Sequence, residues 1–127
     1  MIALDSDVMI DLLRQHPAAV AWLNSLGEVE IVLPGFVVME LLQGCRNKIE
    51  QTKVEQVLTE FEIVWPFPET CDAALRLFAQ YHLSHKIGLL DVLIGQTAAA
   101  LNLPLHTFNR KHYAVVPNLT IVEPYQQ

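Results

Sequence analysis

Residues 1–13, MIALDSDVMIDLL, place three acidic residues, Asp5, Asp7 and Asp11, in an otherwise apolar stretch. The run IALD is typical of a buried strand, and Asp7 is expected to be the N-cap of a helix that follows it. A short apolar strand that ends in Asp-x-Asp begins several folds that carry out phosphate chemistry. The stretch therefore predicts a strand followed by a helix, with acids where the strand ends.

The same alternation of strands and helices continues along the chain. Helices are predicted for residues 17–27, 35–45, 51–61 and 69–82, and for LLDVLIGQTAAALN (89–102). Strands are predicted at EIVL (30–33), EIVW (62–65) and LPLHTF (103–108), and LTIVEPY (119–125) is a candidate fifth strand. Because short strands separated by helices pair in parallel through right-handed crossovers, the fold class is α/β. We expect a three-layer α/β/α domain with a central, mostly parallel sheet of four to five strands.

Size and composition suit one compact domain that covers residues 1–127, since 52% of the residues are hydrophobic. The charged content of 17% is low and the mean hydropathy is +0.30, so we expect a second copy of the chain, in a homodimer, or another partner to cover part of the apolar surface. The two cysteines, Cys45 and Cys71, lack a metal-ligand spacing and favour reduced thiols in the cytoplasm. No stretch suits a membrane span, so a membrane partner is not expected.

The net charge of −6 argues against simple nucleic-acid binding, because the overall charge of the protein does not attract a polyanion. An acidic centre that carries divalent cations stays compatible with this charge, since a bound metal reverses the local sign and attracts phosphate. The composition is therefore compatible with metal-dependent phosphate chemistry.

Polar residues fall at the edge of the sheet where ligands bind in open parallel α/β folds, outside the carboxyl ends of the strands. Asp5 ends the first strand, and Asn109 follows the end of the fourth. Asp91 lies in the first turn of the helix after Gly88, and Glu40 lies one to two turns into the helix after the second strand. Helical spacing places Glu40 and Asp91 on the faces that should be apolar.

Each of these acids taken alone is as well explained by helix capping or by a bond to a backbone amide. Taken together, Asp5, Glu40 and Asp91 would repel one another at a cost of several kcal/mol unless a cation neutralises them. Oxygen ligands without His or Cys suit Mg²⁺ or Mn²⁺. The pattern therefore predicts phosphoryl or phosphodiester chemistry at a metal centre.

The motifs LDSDVMIDLL, VVMELLQG, LLDVLIGQTAAALNLPLHTFN and RKHY follow one another as they do in PIN-domain proteins, and the chain most resembles the VapC-type toxins. The resemblance implies a Mg²⁺- or Mn²⁺-dependent endoribonuclease that acts as a dimer. Such an enzyme hydrolyses RNA phosphodiester bonds with a metal-activated water and leaves a 5′-phosphate and a 3′-hydroxyl. The resemblance also implies a cognate antitoxin that silences the enzyme by inserting a C-terminal segment near the active site.

By position, Asp5, Glu40 and Asp91 match the acidic metal-binding residues of the family. Asn109 stands where many members have a fourth acid, and His112 stands where an Asp often follows. Because an amide binds a cation less strongly than a carboxylate does, we expect one tightly held metal ion. Asn109 is still expected to act in catalysis, by orienting a water or a phosphate oxygen.

Neighbouring residues are assigned supporting roles. Thr107 offers a hydroxyl to the same edge of the sheet, and Asp7 is expected to support the site without binding the metal. Four basic residues beside this edge are candidates for contacts with the RNA backbone: Arg46, Lys48, Arg110 and Lys111. The alternative is that they are ordinary solvated charges.

Several other features are given plainer interpretations. His82 and His85 have the spacing of a zinc pair but no third ligand, so they are expected to lie at a solvated helix end. Trp22 and Trp65 are expected to anchor the core or an interface rather than to stack on bases. Asp11 is expected to be an acid on the helix surface.

Two other functions compete with the ribonuclease. A non-catalytic PIN-fold module that acts through protein contacts is the first alternative, and the joint presence of Asp5, Glu40 and Asp91 argues against it. The motif LDSDV also resembles the start of haloacid-dehalogenase-type phosphatases, with Asp5 as nucleophile and Asp7 as acid/base. That mechanism needs a Lys and a late acidic pair that this chain does not supply, so it ranks third. A receiver-type phosphoacceptor is excluded because EIVW leads into Pro66.

Overall fold

Five strands form one central sheet in the computed structural model, which describes residues 1–127. The strand order is β3-β2-β1-β4-β5, and every neighbouring pair is parallel. All three residues of β1 are buried, because this strand lies in the middle of the sheet and helices cover both faces. The strands are β1 (Ile2–Leu4), β2 (Ile31–Pro34), β3 (Glu62–Val64), β4 (Leu105–His106) and β5 (Ile121–Val122). The α/β fold class and the fifth strand are confirmed.

Seven helices connect and flank the strands. They are α1 (Ser6–Leu13), α2 (Pro17–Ser25), α3 (Gly35–Gln43), α4 (Lys48–Leu58), α5 (Pro68–His85), α6 (Leu89–Ala100) and α7 (Arg110–Tyr113). The predicted limits of α4 are wrong by three residues, because the Asn47 carboxamide accepts a hydrogen bond from the backbone N–H of Glu50 at 2.8 Å and starts the helix early. The short helix α7 was not predicted.

A close approach at Gly95 brings α7 against α6. A Cβ atom at Gly95 would lie 2.9 Å from Val116 Cγ2 and 3.1 Å from Tyr113 Cδ1, so only glycine leaves room for these two side chains. Tyr113 is completely buried there. This contact fixes the segment that follows β4 beside the first turns of α6.

The end of the chain packs against α1. The Tyr125 hydroxyl donates a hydrogen bond to Asp11 Oδ2 at 2.7 Å, and Gln127 Nε2 donates to the same oxygen at 3.1 Å. The Tyr125 ring also contacts Trp22 and Phe108, with ring centroids 5.9 and 5.0 Å apart. The prediction of Asp11 as a plain surface acid is therefore wrong, because its partners come from more than a hundred residues away.

The two tryptophans differ in burial. Trp22 packs against the core and tilts over His106, as expected of a core anchor. Trp65 remains 55% exposed, since it follows the edge strand β3, where its ring lies over Gly35 and against Phe36. Of the two predicted positions, core or interface, the exposure of Trp65 excludes the core and leaves the interface.

His82 and His85 lie in the last turn of α5, where the His82 ring stacks on Phe78 and His85 contacts the Ser84 hydroxyl. This position in the last turn confirms the prediction of a helix end. None of the helices combines the length and the apolar character needed to cross a bilayer.

Candidate active site

Asp5 lies at the carboxyl end of the central strand, where it is only 2% exposed. Its Oδ1 accepts a hydrogen bond from the backbone N–H of Ser6 at 2.8 Å, and its Oδ2 accepts one from the Thr107 hydroxyl at 2.8 Å. Burial raises the pKa of Asp5, the negative charge of Asp7 adds to this effect, and together they raise it from 3.8 to about 7. Asp5, rather than the predicted Asp7, is the N-cap of α1, because its extended backbone turns the carboxylate back onto the first helical N–H.

Asp7 connects the first turn of α1 to the segment after β4. Its Oδ2 accepts hydrogen bonds from the backbone N–H of Phe108 at 2.8 Å and from the Thr107 hydroxyl at 3.3 Å. The single O–H of Thr107 serves only one acceptor at a time, so Asp5 and Asp7 share it. Burial raises the pKa of Asp7, whereas the N–H groups of Phe108 and Val8 lower it. Asp7 and Thr107 therefore connect the start of α1 to the segment after β4, and their supporting role stays a prediction.

Glu40 reaches the same edge from the second turn of α3. Its Oε1 is buried and has no hydrogen-bond partner. Burial raises the pKa of Glu40, and the charge of Asp91 adds to this effect, while the nearby Ser6 hydroxyl opposes it. A buried carboxylate oxygen without a donor is costly, so this atom requires a proton or a cation.

Asp91 lies in the first turn of α6 with its side chain 17% exposed. Its Oδ2 accepts a hydrogen bond from the backbone N–H of Gly88 at 3.3 Å, and it also lies 3.2 Å from His112 Nδ1. Both contacts fall on Oδ2, which leaves Oδ1 free to bind a ligand.

The buried hydroxyl of Tyr113 is influenced by all three acids, and no sequence motif predicted a place for this residue in the site. The hydroxyl has no hydrogen-bond partner of its own. Burial raises the pKa of Tyr113, and the charges of Asp5, Asp91 and Glu40 raise it further. The charges of all three acids therefore act on one buried hydroxyl. The only available signal was a single aromatic residue at the end of the polar run NRKH.

The acids suit a hard divalent cation. Glu40 Oε1 has no donor, Asp91 Oδ1 is free, and burial raises the pKa of Asp5, so that a cation would stabilise its ionised form. No three side chains of Asp, Glu, His or Cys type come close enough together to bind one ion directly. The residues therefore fit Mg²⁺ or Mn²⁺, because such ions keep several waters and need only one or two carboxylates in direct contact.

The remaining predicted residues lie at different distances from the acids. Asn109 is exposed at the start of α7, and its backbone N–H donates to Thr107 Oγ1 at 3.0 Å. Arg110 and Lys111 are exposed beside it and line a shallow surface groove together with His112.

The other two basic residues precede or begin α4. Arg46 forms an ion pair with Glu50 at 3.3 Å, and Lys48 is exposed in the first turn of the helix. Neither residue lines the groove that holds Arg110, Lys111 and His112. The structure thus separates the four predicted RNA contacts into two pairs.

Comparison with known proteins identifies the family. The family model described as PIN domain matches residues 2–117. Ribonuclease VapC19 of Mycobacterium tuberculosis is 34% identical over 125 residues, which cover 94% of this chain and 97% of that protein. Ribonuclease VapC10 of the same species is 33% identical over 121 residues, which cover 94% of this chain and 90% of that protein.

Solved structures show the same fold. The crystal structure of VapBC2 from Rickettsia felis, bound to a DNA fragment from its promoter, matches with a TM-score of 0.78 and 27% sequence identity. The match covers 96% of this chain and 98% of that chain. The chain therefore belongs to the PIN-domain family, among its VapC-type members.

Proposed function

We propose that the chain is a VapC-type toxin, a metal-dependent endoribonuclease that hydrolyses RNA phosphodiester bonds at Asp5, Glu40 and Asp91, with Mg²⁺ or Mn²⁺ as cofactor. The observation that carries the proposal is the buried Glu40 Oε1, which has no hydrogen-bond partner, in a carboxyl group whose pKa is raised by burial and by the charge of Asp91. The ribonuclease names of the relatives, which are 33–34% identical, support the same reaction.

The side chains of such a site have different roles. When bound, a divalent cation lowers the pKa of a water and neutralises the charge that develops on phosphate oxygens. Asp5 is held rigid by Ser6 and Thr107, while Glu40 Oε1 and Asp91 Oδ1 offer free oxygens. Arg110 and Lys111 lie on the adjacent surface, where they attract the RNA backbone.

Metal removal tests this function directly. Purified protein is expected to cut structured RNA in the presence of Mg²⁺ or Mn²⁺ and to lose this activity completely in excess EDTA. The products should carry a 5′-phosphate, which is read from their sensitivity to a 5′-phosphate-dependent exonuclease. Cleavage that survives EDTA would contradict the metal mechanism. Intact RNA with every divalent ion would favour the non-catalytic module.

The phosphatase alternative lacks structural support. It assigns acid/base catalysis to Asp7, but both oxygens of Asp7 accept hydrogen bonds within the protein, from Val8, Thr107 and Phe108. Membership of the PIN-domain family supports a site that joins Asp5 with Glu40 and Asp91 rather than with a Lys and a late acidic pair.

We infer three further properties from the same assignment: a cognate antitoxin, a homodimer and a cytoplasmic location. The Rickettsia felis structure contains a VapBC complex, which supports the antitoxin. Large apolar side chains that stay exposed support contacts with other chains, among them Met39, Trp65, Phe67, Leu75 and Leu89. The unpaired thiols of Cys45 and Cys71 are in keeping with a reducing compartment.

Replacing Arg110 and Lys111 together with glutamine is expected to weaken RNA binding. Each lost phosphate contact should reduce the slope of log affinity against log salt by about 0.7 for single-stranded RNA, because fewer counterions are released. Affinity is measured by fluorescence anisotropy in EDTA, which prevents cleavage.

Arg76→Gln is the matched control, since Arg76 is also exposed but lies on α5. If the double variant binds RNA with the affinity and salt slope of the wild type, these two residues do not contact the substrate.

A further inference from the structure

The helix α7 holds His112 against Asp91. Tyr113 is buried in the space left by Gly95 and anchors the helix, so the preceding residue, His112, is directed along the outer side of the site. The His112 side chain is 47% exposed, and its Nδ1 lies 3.2 Å from Asp91 Oδ2.

This contact is the only one that another side chain makes with the Asp91 carboxylate. The other contact comes from the Gly88 backbone N–H, at the longer distance of 3.3 Å and on the same oxygen. With both contacts on Oδ2 and none on Oδ1, the carboxylate is held by one oxygen and offers the other. Groups that hold a ligand's outer oxygen in this way fix its orientation toward a metal.

We propose that His112 is a positioning residue of the metal centre, which holds Asp91 Oδ2 so that Oδ1 is presented to the divalent cation. The inference rests on the proposed function, because it assumes a cation at Asp91. His112 acts through Asp91 and not on the RNA. The competing view is that the contact only stabilises α7 on the surface.

A matched pair of variants separates the two roles. Asparagine carries an N–H₂ group at the δ position that Nδ1 occupies in histidine, whereas leucine has a methyl group there with nearly the same size and shape. We expect His112→Leu to weaken Mn²⁺ binding by about 10- to 100-fold, the range found when partners of metal ligands are removed. His112→Asn should bind Mn²⁺ within a few-fold of the wild type. Mn²⁺ affinity of the metal-free protein is measured by isothermal titration calorimetry, without RNA.

His82→Leu is the control, because His82 lies in the last turn of α5 and should leave Mn²⁺ binding unchanged. Thermal unfolding in EDTA verifies that each variant folds. RNA cleavage as a function of Mn²⁺ gives a second readout: His112→Leu should need more Mn²⁺ for half-maximal rate. A role limited to the stability of α7 would not move this concentration in a folded variant.

Three outcomes would overturn the inference in distinguishable ways. If wild-type protein and His112→Leu bind Mn²⁺ equally well, His112 does not position Asp91, and the proposed ribonuclease site is untouched. If the wild type neither binds Mn²⁺ nor cuts RNA, both the metal centre and the role of His112 are wrong. Weak binding by both His112→Leu and His112→Asn would also contradict the proposal, since a donor at the δ position would then not suffice.

Discussion

Asp5→Asn is expected to lower the rate of RNA cleavage by about a hundredfold or more. Asparagine keeps the size of the side chain, and its oxygen still accepts the hydrogen bond from Ser6 N–H that caps α1. What it removes is the negative charge at the centre of the acidic site. A bound cation supplies several kcal/mol of stabilisation to the transition state, and each loss of about 1.4 kcal/mol is a tenfold loss in rate.

The rate is measured on a fluorescently labelled RNA at saturating Mn²⁺, with circular dichroism to verify the fold. Asp72→Asn is the matched control, because it makes the same chemical change at an exposed position on α5 and should leave the rate unchanged. If the Asp5→Asn protein is folded and cuts RNA at more than about a tenth of the wild-type rate, Asp5 is not part of the metal centre.

The metal-free protein is expected to lose stability as the pH rises from about 4 to about 7. The pKa of Asp5 is raised from 3.8 to about 7 by burial and by Asp7. Between these values the folded protein holds a proton that the unfolded chain has released, so raising the pH favours unfolding. Each pH unit costs about 1.4 kcal/mol, which gives a few kcal/mol over the window. Above pH 7 the Asp5 contribution is fully lost, and the raised pKa values of Asp7 and Glu40 act in the same direction.

The free energy of unfolding is obtained from urea titrations in EDTA at pH 5 and pH 8. Asp5→Asn should reduce the difference between the free energies of unfolding at pH 5 and pH 8, because asparagine does not titrate. Mg²⁺ added at pH 8 should restore stability to the wild type by neutralising the ionised acids. Equal pH dependence in the wild type and Asp5→Asn would show that Asp5 is already neutralised within the protein.

The strands and long helices could be predicted because their signals are local. Runs such as EIVL and EIVW are β-branched and flanked by helical patterns, so their type and parallel pairing follow from the sequence. The helix α7 has no such signal, since four residues show no periodicity and its anchor is the distant Gly95. The partner of Asp11 was also unpredictable, because Tyr125 lies 114 residues away.

For the candidate site, the sequence could predict which residues lie at one edge of the sheet, but not their detailed geometry. Placing Asp5, Glu40 and Asp91 at one edge needs only the strand order and the spacing along two helices. Deciding which acid caps α1 depends on backbone angles, and sequence alone assigned Asp7 where the structure has Asp5. The spacing also gave no measure of how far apart the acids are, so the absence of a compact three-ligand cluster was not foreseen.

The hydrogen bond between Thr107 and Asp5 can form only late in the synthesis of the chain, because it joins residues that are far apart in sequence. Thr107 leaves the ribosome 102 residues after Asp5, and the strand β4 that carries it to the site follows β1 by the same interval. While the chain is being translated, Asp5 has neither this hydroxyl nor Asp91 beside it. The catalytic edge of the proposed ribonuclease is therefore complete only after most of the chain has been synthesised.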